Sequence, residues 1–252
     1  MPLPDEIRAL ADGILRRLQE SRDYYIHTQQ AWRVVQQVVH EGRSVGIVDA
    51  ASGAEIPATS LEPLAQRYVT GHLTGAVFRG LSGILEDWIL GLARLWLTAY
   101  PVQLDAAYGE AAERSRSQRR EEIQVPLSEI LGAPDRDAII GSVVERVVRE
   151  LAYRRPSQWF QFLDHRVNLG CPDEARRGAI CELKAARDAI EHNRGTAGRD
   201  YVEKSGRFAR CREGEEIQLD EPYLMHCFGL LREVVEEMAA SAIRRSGSGG
   251  VS

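Results

Sequence analysis

An all-α fold is predicted for this 252-residue chain from three observations. Apolar residues recur at helical spacing along most of its length, and Gly42, Pro101, Pro156, Pro172 and Pro222 punctuate those stretches. No alternation of strands with helices gives a Rossmann or P-loop pattern. The composition, 44% hydrophobic and 27% charged with a net charge of −5, is that of a globular protein of one or two domains. It excludes a disulfide-stapled mini-protein and leaves chain enough for a real core. The acidic balance argues against nonspecific wrapping of nucleic acid, though not against a local basic site.

Taken in order, Asp5 to about His40 carries Ile7, Leu10, Ile14, Leu15 and Leu18, then Trp32, Val35, Val38 and Val39, at helical spacing, and Gly42 stops the helix. Ser44 to Pro57 has a short β-branched run and a Ser52-Gly53 turn, which suits a small β-hairpin at 44–57. Leu61 to Ala99 reads as helix with a break between Gly71 and Gly83, ended by Pro101. Residues 101 to about 126 are the weakest stretch, within a linker or insertion at 101–134. Its Arg-rich run at 113–122, with Arg114, Arg116, Arg119 and Arg120 flanked by Glu, is a solvated helix face, a linker or a basic arm for RNA. From Asp135, Ile139, Ile140, Val143, Val144, Val147, Val148 and Leu151 form one stripe that Pro156 breaks. Gln158 to Leu169 is a short helix, Pro172 starts another that runs to about Asn193, and Gly195 to Glu216 reads as a polar loop. Pro222 in a first turn opens a last helix through Leu230, Leu231, Val234, Val235 and Met238. The Gly/Ser-rich tail, Ser246 to Ser252, is expected to be disordered. These elements group as N-terminal helices at 1–100, a helical core at 135–245 and a tail at 246–252.

The first residues lack the basic and apolar stretches of a signal peptide. The most apolar stretch, Ile84 to Tyr100, carries Glu86, Asp87 and Arg94 and falls short of the roughly 20 apolar residues that span a bilayer, so no membrane segment is expected. Cys171, Cys181, Cys211 and Cys227 have no metal-ligand spacing, and neither GxxxxGK nor GxGxxG occurs. A cytoplasmic protein with reduced thiols and without metal or cofactor is the expectation.

The basic residues number 30 Arg and 2 Lys. An Arg followed at short range by His therefore arises easily: chance gives about two Arg-x4-6-His matches, and four occur, at Arg22/His27, Arg33/His40, Arg67/His72 and Arg187/His192. Context separates the last. Leu183 to Gly195 (LKAARDAIEHNRG) places Arg187, Asp188, His192 and Asn193 at the end of an amphipathic helix, just before a glycine-containing loop. This segment resembles the Arg-x4-6-His signature of the HEPN superfamily, in which a polar residue commonly follows the Arg. Tyr201 to Gly206 resembles the loop after that motif in the family's RiboL-PSP branch, and Gly75 to Ile89 is similar to that branch's helix bearing a buried Glu. The resemblance covers about 135 to 245 best and implies a HEPN-like helical bundle.

Positions five apart on a helix differ by about 140° in azimuth and about 7.5 Å in rise, so Arg187 and His192 of one chain do not converge on one small target. Two copies about a twofold axis can bring two Arg and two His around one phosphate. The resemblance implies the same: a homodimer with a composite cleft and metal-independent endoribonuclease chemistry, acting in defence or stress. The ribose 2′-OH attacks the adjacent phosphate, giving a cyclic phosphate and a free 5′-OH. In that reading His192 moves protons and Arg187 holds the nonbridging oxygens. Asp188, four residues before His192, orients the imidazole, and Asn193 binds substrate or caps the helix. Arg194 and Lys204 are assigned to RNA. In HEPN toxins paired with a nucleotidyltransferase antitoxin a Tyr stands two positions after the His; Arg194 stands there in this chain, which argues against silencing at that position but leaves open another antitoxin or defence-system partner.

Two other classes fit the same residues: a noncatalytic HEPN-like module binding RNA, nucleotide or protein, and a helical dimerisation protein in which Arg187–Glu191 and Lys184–Asp188 are ion pairs at i,i+4. Between Arg187 and Arg212 stand 7 basic and 4 acidic residues, and between Glu213 and Glu237 1 basic and 8 acidic, which favours phosphate near the motif and limits the path of an RNA beyond it. His27, His40 and His72 read as helix-surface or packed residues, His165 and His226 lie in the carboxy-terminal helices within reach of the same cleft, and Trp88, Trp96 and Trp159 read as core.

Overall fold

The chain folds as a helical bundle in a computed structural model, which describes residues 1–104 and 125–247; the Arg-rich run at 113–122 lies outside them. Its first helix, α1 (Leu3–His40), follows from a stripe at helical spacing, and Ile7, Ala11, Ile14, Leu18, Tyr25 and Gln29 are buried along it. Asp5 and Glu6 stand in its first turn, where the helix dipole favours anions, and Gly42 at φ +74° ends it.

The 44–57 segment forms one isolated antiparallel bridge, Val48 with Glu55, closed by Asp49, whose carboxylate accepts from the Ala51 and Ser52 amides. The expected hairpin therefore shrinks to a capped turn, and no strand ladder exists among the described residues. Helix α2 (Ala58–Gln66) runs through a widened π-helical stretch at Arg67–Leu73 into α3 (Thr74–Ala99). The expected break is that wide turn alone. Thr74 Oγ1 donates to the Val69 carbonyl there at 3.0 Å, while Gly80 and Gly83 stay helical. Helix α3 buries Phe78, Leu81, Leu85, Trp88, Ile89, Leu92, Trp96 and Leu97 and packs on α1.

After the short α4 (Leu127–Gly132), α5 (Arg136–Ala152) starts at Asp135, whose carboxylate caps the Ala138 amide at 2.8 Å. Its stripe, Val143, Val144, Val147, Val148 and Leu151, packs against α3. Helix α6 (Pro156–Gln161) begins two residues before the expected Gln158, because Pro156 suits a first helical position and Gln158 accepts from the Arg155 amide. It passes into a π-helical turn at Phe162–Arg166. Helix α7 (Glu174–His192) is capped by Asp173, which accepts from the Arg176 amide at 2.8 Å.

The segment expected to be loop from Gly195 to Glu216 is partly helical. It carries α8 (Arg199–Ser205) and a 3-10 turn at Gly206–Phe208. Seven residues with one buried pair, Tyr201 and Ser205, show no readable periodicity; packing against α7 makes the helix. The last helix, α9 (Glu221–Gly247), starts as Asp220 accepts from the Tyr223 amide at 2.9 Å. It extends through Ser246 and Gly247, which were expected in the tail.

One continuous core joins residues from Ile7 of α1 to Ala242 of α9, with Trp88, Trp96 and Trp159 each at most 2% exposed within it. The N-terminal helices and the C-terminal half share it: α9 packs on α1, α3 and α7, and α7 also meets α3 and α6. Among the described residues no helix is long and apolar enough to cross a membrane.

Candidate functional site

Helix α7 positions the site through its three faces. Ile180, Leu183 and Ala186 are buried and anchor it in the core. At about 100° per residue, positions 181, 185, 188 and 192 share the face turned toward α8, and position 187 lies roughly 140° from 192. The chain leaves the helix through a tight exit. The Asn193 amide donates to the Ala189 carbonyl, Arg194 and Gly195 take left-handed φ of +53° and +79°, and Asn193 Nδ2 donates to the Thr196 carbonyl at 2.6 Å. Asn193 thus caps the turn, one of the two roles foreseen for it. Backbone bonds from Ala197 to the Glu215 carbonyl and from Ile217 to the Gly195 carbonyl then pin the exit and deliver Gly198 to the start of α8.

Between α7 and α8 runs a groove made of two adjoining cavities of about 410 and 480 Å³, which share Ala185, Asp188, Asp200 and Lys204. Of the residues singled out in the sequence, Asp188, His192, Asn193 and Lys204 line it. The His192 side chain is 75% exposed on its rim, with the Glu191 carboxylate 4.0 Å from Nε2. Asp188 is held by Lys204 at 3.2 Å and by Arg187 at 3.3 Å. Arg187 does not line the groove. It pairs with Glu191 at 2.9 Å on the other flank of α7, and its Nε is buried without a hydrogen-bond partner among the described residues. Arg194 is exposed in the turn.

The expected Arg187–Glu191 pair forms, whereas the expected Lys184–Asp188 pair does not. Lys184 turns instead to Glu86 of α3 and donates to Ser82 at 3.2 Å, tying α3 to α7. Glu86, on the helix expected to bear a buried Glu, is only half-buried in that pair.

The deeply buried acid is Glu182, at 3% exposure, which the sequence reading passed over. Its carboxyl accepts from Tyr201 Oη at 2.7 Å, Tyr223 Oη at 2.6 Å and Arg210 Nε at 3.0 Å. The Arg210 amide donates to Tyr201 Oη at 3.0 Å, and its guanidinium lies 3.3 Å from the Tyr223 ring centroid. Burial first, and then the bond to Glu182, push the Tyr201 phenol above its ordinary range; burial raises Tyr223 too, with Cys227 and Glu182 adding to it. Four groups from α7, α8, the loop after it and α9 therefore close one polar knot beneath the groove. A Glu on the buried face of an amphipathic helix was the available signal: Glu182 sits one position before Leu183 and four before Ala186.

Much of the basic charge near the motif is used internally. Arg199 pairs with Glu203, Arg207 with Glu174, Arg210 with Glu182 and Lys204 with Asp188. The described residues contain no His/Cys/Asp/Glu group arranged to hold a metal ion. No protein-family model, curated protein or solved structure matches this chain.

Proposed function

We propose that this chain is a metal-independent endoribonuclease of the HEPN type whose site is completed by a second copy across a twofold axis. The observation that carries the reading is the end of α7: His192 stands 75% exposed on the rim of a polar groove, with Asn193 capping the exit and Lys204 and Asp188 along the floor. Arg187 and His192 lie on different flanks of α7, so a site that needs both takes them from two chains. In that site the 2′-OH of one ribose attacks the adjacent phosphorus and the bond to the 5′-oxygen breaks. His192 takes or gives the proton, and the Arg187 guanidinium binds the nonbridging oxygens where charge grows. The resulting ends are a cyclic phosphate and a 5′-OH. Defence or stress is the setting this chemistry suits, with RNA as substrate and the cytoplasm as its place.

A specific observation favours a second reading, a noncatalytic RNA-binding module. Arg187 is already held by two carboxylates, those of Asp188 and Glu191, and these compete with phosphate for it. Incubation with labelled single-stranded RNA in the presence of EDTA separates the two. Cleavage that is lost in His192→Ala supports the nuclease; binding without cleavage supports the module; neither removes both.

A further inference from the structure

The two cavities form one groove that continues past Lys204 to the corner between α5 and α6, and that far end holds three side chains the motif does not include. Tyr153, the residue after α5, is 88% exposed, and Arg154 and Arg155 follow it directly. Neither arginine takes part in an ion pair among the described residues. The corner is rigid: the Tyr153 and Arg154 amides donate to the Glu150 and Leu151 carbonyls, and Trp159 Nε1 donates to Leu151 at 2.8 Å from beneath. The groove's other Lys and Arg side chains are taken, Lys184 by Glu86, Arg199 by Glu203 and Lys204 by Asp188. Its α8 wall is balanced in charge, with Asp200 and Glu203 standing beside Lys204 and Arg199. The uncompensated positive charge of the groove thus sits at the α5–α6 corner, beside an aromatic ring with a free face.

We infer that Tyr153, Arg154 and Arg155 form a second contact for the same RNA strand, the ring stacking on an unpaired base and the two guanidiniums holding the phosphates that flank it. This rests on the ribonuclease reading and adds to it a substrate class, single-stranded RNA, and a direction: the strand runs from His192 along α7 to the α5–α6 corner. A ring that stacks any base beside cations that track the backbone is how single strands are bound without sequence readout. A duplex cannot use it, because its bases are already stacked. The run along α7 from His192 to Cys181 is about 16 Å, and two cavities of about 410 and 480 Å³ hold more than one nucleotide.

The test measures binding of a short fluorescein-labelled 2′-O-methyl oligouridylate, which has no free 2′-OH to react, across a salt series, beside cleavage of the unmodified RNA. The double variant Arg154→Ala/Arg155→Ala should lower the magnitude of the slope of log affinity against log salt by about 1.4, the value for two lost single-strand phosphate contacts. Tyr153→Ala should weaken binding about 5- to 150-fold, and Tyr153→Phe, which keeps the ring, should bind as the unchanged protein does. If the unchanged protein binds and cleaves but all three variants bind as it does, the corner contact is wrong and the nuclease reading stands. Weakened variants on a protein that binds without cleaving leave the corner contact standing and remove the nuclease. A protein that neither binds nor cleaves removes both.

Discussion

Truncating Glu182 to Ala removes the acceptor at the centre of the knot beneath the groove. Two buried phenols, Tyr201 and Tyr223, lose the oxygen they donate to at 2.7 and 2.6 Å, and each orphaned buried donor costs about 1–3 kcal/mol. Arg210 loses its bond at 3.0 Å, but its side chain is 31% exposed and stacked on Tyr223, so water can recover much of that loss. The total comes to about 3 kcal/mol, or near 6–12 °C in Tm for a chain of this length. Tyr223→Phe removes one donor and leaves the carboxyl two others, so it should cost about 1–2 kcal/mol. Because both changes act on one network, the double variant should lose less than the sum. Thermal unfolding followed by circular dichroism reads these values. A Glu182→Ala protein within roughly 2 °C of the unchanged one would refute the claim that this carboxyl holds α7, α8 and α9 together.

Three further outcomes follow from the same geometry. A Cβ on Gly178 of α7 would meet Phe208 ring atoms at 2.1 Å; the overpacking cost of about 1–3 kcal/mol outweighs the ~1 kcal/mol gained by replacing a helical Gly, so Gly178→Ala should be net destabilising by about 1 kcal/mol in urea unfolding, and a stabilised variant would show that the Phe208 ring swings away freely. Burial pushes the Cys171 thiol up to about 12, so at pH 8 only about one molecule in ten thousand carries the thiolate; iodoacetamide should label it slowly in the folded protein and readily in guanidinium, and equal rates read by peptide mass spectrometry would contradict that environment. His192→Ala should leave Tm within about 1–2 °C, because its side chain is 75% exposed at the end of α7 and lies outside the core, and a larger loss would give His192 a structural rather than a chemical role.

The long elements were legible because each buries a stripe at one period. Ile7 to Leu18 on α1, Val143 to Leu151 on α5 and the core face of α7 all lie where the spacing puts them. The stripe does not report tertiary partners. Lys184 and Asp188 have the spacing of an ion pair, yet Glu86 lies 98 residues away in sequence and within reach of Lys184, and Lys204 reaches back to Asp188. Helix α8 was hidden because it is too short for periodicity and is made by the burial of Tyr201 against Glu182. Of the residues singled out for the site, Asp188, His192, Asn193 and Lys204 are brought to one groove because 188 and 192 share a face of α7 and the Asn193 turn folds α8 back over it. Arg187 is left out by the same geometry, since five residues carry it to the other flank. Glu182 was missed because its partners stand 19, 28 and 41 residues further along the chain.

The central claim, RNA cleavage by 2′-OH attack at a site containing His192, is tested most directly by the chemistry of the ends. Single-stranded RNA incubated with the protein in EDTA should yield fragments ending in 2′,3′-cyclic phosphate and 5′-OH, and His192→Ala should yield none. Fragments with 3′-OH and 5′-phosphate ends, or RNA left intact by the unchanged protein, would contradict it.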